Sequence, residues 1–240
     1  DLDAFKLDFI DEFKVYPDTQ LTLDNGRDYA YVNEAVDRLM TDVMQELRSI
    51  KPDIAIEFRQ QYVGPALRKF GNMFRAFDCP NDAVSNRVRT TDVKLLMGTS
   101  VVHSDPQTWH PDEQLEKAAL QILNPIFSVP QMSIHLRHCR PEHLRMIQFY
   151  TQYWKTNQSV LLDGTFRAVD PLGNYPILST ELNNHLIVGA YAEHLIQLNG
   201  QHKVDLINAK ISNLIIIRNA IATSYQVSIF DCTGKLHAAK

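Results

Sequence analysis

The fold is decided by the stretch Ile56–Asp105, IEFRQQYVGPALRKFGNMFRAFDCPNDAVSNRVRTTDVKLLMGTSVVHSD. Short apolar runs at 53–58, 72–78 and 99–105 have the composition of β-strands. Between them lie a short helical segment bounded by glycines, GPALRKFG, and a longer one, DAVSNRVRTTDVKLLMG, which ends at Gly98. Strands that alternate with helices in this way predict a parallel sheet covered by helices.

The alternation extends in both directions from this stretch. Residues 4–10 have the pattern of a strand, and residues 29–50 that of a long amphipathic helix. Further along, we expect a helix at 111–127, a strand at 131–139 and a helix at 140–154. The chain therefore contains five predicted strand–helix units. The long helix carries apolar residues at intervals of three or four: Val32, Val36, Leu39, Val43 and Leu47.

Charged and polar side chains occur where four of the predicted strands end: Asp8, Glu57 with Arg59, Asp78, and His103 with Asp105. A (β/α)8 (TIM) barrel enzyme collects its chemistry at that rim. Neither G-x-G-x-x-G nor a P-loop occurs, so a dinucleotide-binding fold is disfavoured. The sequence predicts an α/β fold in which residues 1–156 are the C-terminal five units of a TIM barrel. Because a barrel has eight units, we expect the chain to begin in mid-barrel.

The pattern changes after residue 156. Residues 157–240 contain short β-rich runs separated by turn signals, which predicts a second domain built as an antiparallel β-sandwich. The turn signals are Asp163-Gly164, Pro171-Leu172-Gly173-Asn174, Asn199-Gly200 and Thr233-Gly234.

Composition narrows the function classes. The net charge of −4 and the lack of a basic run disfavour a nucleic-acid partner. No apolar run approaches the roughly 20 residues that span a bilayer, so a membrane partner is not expected either. Three widely spaced cysteines, Cys79, Cys139 and Cys232, favour a reducing, cytoplasmic compartment. The sequence predicts no cofactor, and a homo-oligomer is compatible with it.

An aspartate inside an apolar strand is costly unless it is paired or functional. Asp8 follows Lys6 on the same strand face, and the ammonium should keep the carboxylate ionised. A second carboxylate, Asp78, ends another strand beyond Arg75. Two rim carboxylates are what glycoside hydrolysis requires. The alternative is structural: an internal Lys6–Asp8 ion pair, with Asp78 as a helix cap.

The segment FKLDFID resembles the nucleophile strand of the α-galactosidases of glycoside hydrolase family 36 and their retaining relatives. The stretch quoted at the outset is similar to the part of these enzymes that follows that strand. The resemblance covers roughly residues 1–155, and an antiparallel β-domain ends the family's members, as predicted for 157–240. It implies a retaining hydrolase that cleaves terminal α-D-galactosyl residues from oligosaccharides and needs no cofactor or metal.

By this resemblance, Asp8 is the nucleophile, Lys6 contacts the sugar, and Asp78 is the acid/base, with Asp82 as a competitor for that role. The family's Gly-rich stretch that contacts the sugar 2-position is replaced by residues 56–60, so galactose specificity stays open. An α-N-acetylgalactosaminidase and a non-catalytic carbohydrate-binding or scaffolding fragment are the alternatives. The predicted substrate-binding residues are Lys6, Glu57, Arg59, Arg75, Asp82, His103 and Asp105.

The run HLRHCRPEH, residues 135–143, has residue types that can bind metals. On the predicted strand, however, His135 and His138 would point to opposite faces. The sequence therefore predicts no metal site.

Overall fold

The computed structural model describes residues 2–219, 221 and 224–239. The chain forms two compact units. The first contains the residues up to Phe77 together with Val93–Val102, and the second contains Asp78–Asp92 and the residues from His103 onward. The predicted division after residue 156 rests on a change of sequence pattern and stays a prediction.

A four-stranded sheet runs in the order β1-β2-β3-β4. Its strands are β1 (Ala4–Lys6), β2 (Ala55–Arg59), β3 (Met73–Arg75) and β4 (Val101–His103). β1 and β3 both pair in parallel with β2. The predicted α/β alternation of parallel strands is confirmed here, although each strand is shorter than predicted.

The register of this sheet separates apolar from charged side chains. Phe5 pairs with Ile56, and Phe58 pairs with Phe74. Ile56, Phe58 and Phe74 are fully buried in the core of the first unit. Because side chains alternate along a strand, the residues between them face the opposite side. That opposite side carries the charged residues of the candidate site.

Helix α1 (Val32–Ile50) packs on this core through most of the predicted face, because Val36, Val43 and Leu47 contact the core. Met40 and Met44 are buried, whereas Leu39 is 47% exposed. The buried stripe includes positions 36, 40, 43, 44 and 47, at the i, i+4, i+7 spacing of one helix face. Leu39 lies off that stripe, and the two methionines supply the contacts expected of it.

Helix α2 (Ala83–Met97) agrees with the prediction. Helices α3 (Leu115–Leu123) and α4 (Pro141–Thr156) also form, although α3 is shorter than predicted. The strand predicted at 131–139 is wrong. Met132 makes an isolated bridge with Gln107, and Leu136–His138 is a 3-10 turn in which His138 N–H donates to the His135 carbonyl. The alternation of apolar residues there is typical of a strand, but Leu136 is 55% exposed and does not pack in the core.

After α4, the second unit continues with a short helix and the β-rich part of the chain. This part has its own four-stranded sheet, with the order β5-β6-β7-β9, and two two-stranded sheets, in which β10 pairs with β8 and β11 pairs with β12. The elements are α5 (Gln158–Asp163), β5 (Thr165–Val169), β6 (Ile177–Leu182), β7 (His185–Ala190), β8 (Leu195–Leu198), β9 (Lys203–Asn208), β10 (Ile216–Asn219), β11 (Ser228–Phe230) and β12 (Leu236–Ala239).

The β5-β6-β7-β9 sheet has apolar side chains packed on both of its faces. On one face Leu178 and Ile187 pack with Leu161 of α5, and on the other Val188 packs with Ile196 of β8. The β-rich character predicted for residues 157–240 is confirmed, but the strands form separate sheets that are only partly antiparallel. β5/β6, β6/β7 and β11/β12 are antiparallel, whereas β7/β9 and β8/β10 are parallel.

The hairpin signals give mixed results. Residues 171–174 connect the antiparallel pair β5/β6, and Thr233-Gly234 connects β11 and β12, as predicted. Asp163-Gly164 instead ends α5, and Asn199-Gly200 joins strands of different sheets. The β6–β7 turn is formed by residues 183–184, two asparagines with φ of 50° and 63°. Two successive positive φ angles are the geometry of a tight hairpin turn.

Among the described residues, no helix has both the length and the apolar character needed to cross a bilayer.

Candidate active site

The charged face of the parallel sheet lies at the carboxyl ends of β1, β2 and β3. Lys6 pairs with Glu57, and Arg59 pairs with Arg75, so four predicted site residues occupy neighbouring positions on adjacent strands. Asp8 follows β1 by two residues. Parallel register brings these groups to one edge of the sheet, which is where α/β enzymes place their chemistry.

Asp8 makes four close contacts, and its two oxygens differ. Oδ1 accepts hydrogen bonds from Arg59 Nε at 2.6 Å, Tyr62 OH at 2.6 Å and the Phe9 N–H at 2.9 Å. Oδ2 lies 3.6 Å from Lys6 Nζ. The side chain keeps 35% of its surface exposed. Oδ1 is therefore fixed by protein donors, and Oδ2 lies near the Lys6 ammonium group.

These contacts determine the protonation states. Hydrogen bonds from Tyr62 and Arg59 hold the pKa of Asp8 well below its usual range. Burial, together with the hydrogen bond to Asp8, raises the pKa of Tyr62 to about 12. At neutral pH, Asp8 is an anion and Tyr62 is a neutral donor.

Arg59 is held in place from several sides. Its side chain is only 10% exposed, and the rings of Phe9, Tyr62 and Phe77 lie 5.3–5.9 Å from its guanidinium carbon. Such cation–π contacts fix the plane of the guanidinium. Phe9 falls within the strand predicted at residues 4–10, but β1 ends at Lys6. Its φ of 56° turns the chain out of the strand direction, and its ring is 63% exposed.

The other two residues of this face form an interior pair. Arg75 Nε lies 3.6 Å from Glu57 Oε1, and their side chains are 6% and 15% exposed. A desolvated cation of this kind requires a partner of opposite charge. The predicted contacts of Glu57 and Arg75 with substrate stay predictions; the structure shows the pair that each makes with the other.

The remaining predicted residues lie in the second unit. Asp78 is exposed, directly before the buried Cys79. The Asp78 carbonyl accepts a hydrogen bond from Arg89 at 2.8 Å, and the Cys79 N–H donates to Asp105 Oδ2 at 2.8 Å. Burial, together with the charge of Asp105, raises the pKa of the Cys79 thiol to about 12, so this thiol is not a nucleophile at neutral pH.

Asp82 is a helix cap. Its carboxylate accepts hydrogen bonds from the Ser85 N–H at 2.9 Å and the Ser85 hydroxyl at 2.5 Å, at the start of α2. These bonds lower the pKa of Asp82. An acid catalyst must carry a proton when the substrate is bound, so the cap role favours Asp78 over Asp82 as the acid/base candidate.

His103 and Asp105, which end the fourth predicted strand, are both buried. His103 Nδ1 lies 3.2 Å from Gln131 Oε1. Asp105, 3% exposed, bonds the backbone of the turn after β3, as described above. These hydrogen bonds do not test the substrate contacts predicted for His103 and Asp105.

Sequence reasoning found one partner of Asp8, the Lys6 ammonium, and missed the contacts that Arg59 and Tyr62 make with this carboxylate. Lys6 was expected to hold Asp8 ionised, yet Arg59 and Tyr62 make the short bonds, and Lys6 lies 3.6 Å away. Tyr62 follows β2 by three residues, a distance at which a loop can return to the strand end. Only the loop conformation brings its hydroxyl to Asp8.

The histidines of residues 135–143 are arranged differently from the prediction. His135 and His138 do not point to opposite faces: their rings stack 4.0 Å apart at 8°. The reason is the 3-10 turn, in which side chains three residues apart eclipse. Among the described residues, no three His, Cys, Asp or Glu side chains are grouped closely enough to hold a metal ion.

Comparison with known proteins bears on the fold. No protein-family model and no curated protein matches the chain. Among solved structures, the galactosidase domain of alpha-galactosidase-sucrose kinase, AgaSK, matches with a TM-score of 0.52 and 14% identity. The chain has a galactosidase-like fold. The match covers 69% of this chain and 24% of that chain, so the chain spans about a quarter of the structure it resembles.

Proposed function

We propose that the chain carries part of the catalytic domain of a retaining glycoside hydrolase that cleaves terminal α-D-galactosyl residues from oligosaccharides. The observation that carries the proposal is Asp8: an ionised, partly exposed carboxylate at the carboxyl end of a parallel strand, with one oxygen held by Arg59 and Tyr62. The likeness to a galactosidase domain supports it. The parallel sheet then belongs to a (β/α)8 barrel.

The proposed reaction has two steps. In the first, Asp8 Oδ2 attacks the anomeric carbon, the glycosidic C–O bond breaks, and the carboxyl of Asp78 gives its proton to the leaving oxygen. In the second, the Asp78 carboxylate takes a proton from water, which attacks the same carbon and releases Asp8. Two inversions retain the α configuration.

The contacts of Asp8 suit the attacking role. Because Oδ1 is occupied by three donors, the carboxylate has a fixed orientation, and Oδ2 is the oxygen left for the sugar. Lys6, 3.6 Å from Oδ2 and 42% exposed, can donate to a sugar hydroxyl beside the bond that forms. Fixed geometry of this kind lowers the entropy cost of reaching the transition state.

A second candidate is carbohydrate binding without turnover. The three donors on Oδ1 stabilise the anion and so reduce its basicity, which suits a sugar-binding carboxylate as well as a nucleophile. In this role Asp8 and Lys6 would bond sugar hydroxyls, and no glycosyl-enzyme would form. An α-N-acetylgalactosaminidase is the alternative within the enzyme class, since residues 56–60 differ from the resembled family at the 2-position contact.

The test uses the full-length protein. Its hydrolysis of nitrophenyl α-galactoside is compared with that of the 2-acetamido and α-glucoside counterparts, and Asp8→Asn is compared with Asp11→Asn, an exposed carboxylate nearby. We expect turnover of the α-galactoside, loss in Asp8→Asn and retention in Asp11→Asn. Sugar binding without hydrolysis by the wild type would favour the second candidate. Preferred hydrolysis of the 2-acetamido substrate would replace galactose by N-acetylgalactosamine.

A further inference from the structure

One peptide group of the second unit is held at both of its polar atoms by charged side chains. The group joins Asp78 to Cys79: its carbonyl accepts from Arg89 Nη1 at 2.8 Å, and its N–H donates to Asp105 Oδ2 at 2.8 Å. In a trans peptide these two atoms point in opposite directions. Arg89 and Asp105, here called the peptide clamp, therefore fix the plane of the backbone that carries the Asp78 side chain.

Helix α2 holds both sides of the clamp. Arg89 lies on α2, and so does Asn86, whose side-chain amide donates to the Asp105 carbonyl at 3.0 Å and accepts from the Asp105 N–H at 3.1 Å. Thr90, one turn further, donates to Asn86 Oδ1 at 3.2 Å. Asn86, Thr90 and Asp105 are 2–4% exposed. A buried network of this kind specifies one arrangement when its members are satisfied.

We propose that Arg89 and Asp105 are positioning residues for Asp78, which place its carboxyl for proton transfer without touching the substrate themselves. The inference rests on the proposed function, because it assigns a role relative to the acid/base. It replaces the substrate contact predicted for Asp105: a 3% exposed carboxylate bonded to a backbone N–H is suited to holding the chain. Charge-assisted hydrogen bonds are stronger than neutral ones, so the clamp suits this task.

A displaced acid has a specific kinetic effect. Proton donation matters most when the leaving oxygen is strongly basic, and little when the leaving group departs as a stable anion. Loosening the clamp should therefore slow substrates with poor leaving groups more than activated aryl glycosides. Loss of fold, in contrast, lowers both rates by the same factor, because it removes active enzyme.

The experiment measures kcat and KM of the full-length protein for methyl and 2,4-dinitrophenyl α-galactosides. The variants are Arg89→Met, Arg89→Lys and Asp105→Asn, and the matched control is Arg145→Met, an exposed arginine of α4. We expect Arg89→Met to lower kcat/KM for the methyl galactoside by roughly 10²-fold and for the aryl galactoside by only a few fold. Arg89→Lys should recover part of the loss in kcat/KM for the methyl galactoside.

Each outcome decides a separate point. If Arg89→Met and Asp105→Asn lose activity equally on both substrates, or lose none, the positioning role of Arg89 and Asp105 is overturned. Hydrolysis of the galactosides by the wild type would still support the proposed function. If the wild type hydrolyses neither galactoside, the proposed function fails and the positioning role fails with it. Should Arg89→Met not fold, as judged by thermal melting, Arg89→Lys and Asp105→Asn decide by the same ratio of rates.

Discussion

Arg59 Nε donates a 2.6 Å hydrogen bond to Asp8 Oδ1, across a sequence separation of 51 residues. The bond joins the carboxyl ends of two adjacent parallel strands, β1 and β2. It pairs a buried guanidinium with a carboxylate that keeps 35% of its side-chain surface exposed. In the proposed mechanism this pair orients the nucleophile.

We expect Arg59→Met to lower kcat and to destabilise the fold, because a buried side chain that packs on three rings and bonds a carboxylate is lost. A double-mutant cycle with Asp8→Asn isolates the pair. Urea unfolding of the four proteins should give a coupling free energy of about 0.5–3 kcal/mol, the range for residues in contact. Additive effects within error would mean that the two side chains do not stabilise each other.

Tyr62→Phe should shift the pH dependence of activity. The hydroxyl donates to Asp8 and lowers the pKa of that carboxyl, so its removal raises the pKa. Because Asp8 reacts as an anion, the acid limb of the kcat/KM profile must move to higher pH. The profile for an aryl α-galactoside measures this shift. Tyr16→Phe, which removes an exposed hydroxyl elsewhere, is the control, and an acid limb unmoved in Tyr62→Phe would contradict the assignment.

Stability at low pH should depend on Asp8. The folded pKa of Asp8 lies below its unfolded value of about 3.9, so its contribution is present above that pH and is lost as the pH falls. The unfolding free energy of the wild type should therefore decrease more steeply below about pH 4 than that of Asp8→Asn. Parallel curves for the two proteins, measured by urea unfolding from pH 7 to pH 2, would show that Asp8 is not stabilised in the fold.

Asp78→Ala and Asp82→Ala should separate catalysis from capping. Removing the Asp82 cap should cost about 1 kcal/mol, and Asp82→Ser should restore most of it. Asp78→Ala should reduce hydrolysis of oligosaccharides far more than that of activated aryl galactosides. Thermal melts and the two assays, run on the same preparations, test both statements. A leaving-group effect confined to Asp82→Ala would reverse the assignment.

Sequence patterns predicted the elements that depend on local signals. Helix α2 lies within one residue of its predicted bounds, because Asp82 and Gly98 mark its ends. Predicted strands were too long, since apolar composition does not show where pairing stops. The β6–β7 turn was missed because Asn183 and Asn184 adopt positive φ without glycine.

The candidate site was predictable only in part. The K-x-D pattern and the charged strand ends identified Asp8, Lys6 and Arg59, because parallel strands bring their carboxyl ends together. Tyr62 could not be found this way, since the loop after β2 decides where its hydroxyl lies. The peptide clamp on Asp78 could not be predicted either, because it consists of hydrogen bonds to backbone atoms, whose positions a sequence pattern does not give.

The most direct test of the proposed role of Asp8 is covalent labelling of the nucleophile. The full-length protein is incubated with an α-galactosyl-configured cyclophellitol aziridine, which traps the nucleophile of a retaining enzyme as an ester, and the modified peptide is identified by mass spectrometry. We expect one label, on Asp8, that is absent from Asp8→Asn. A label on another carboxylate, or hydrolysis of α-galactosides by Asp8→Asn at a substantial fraction of the wild-type rate, would contradict it.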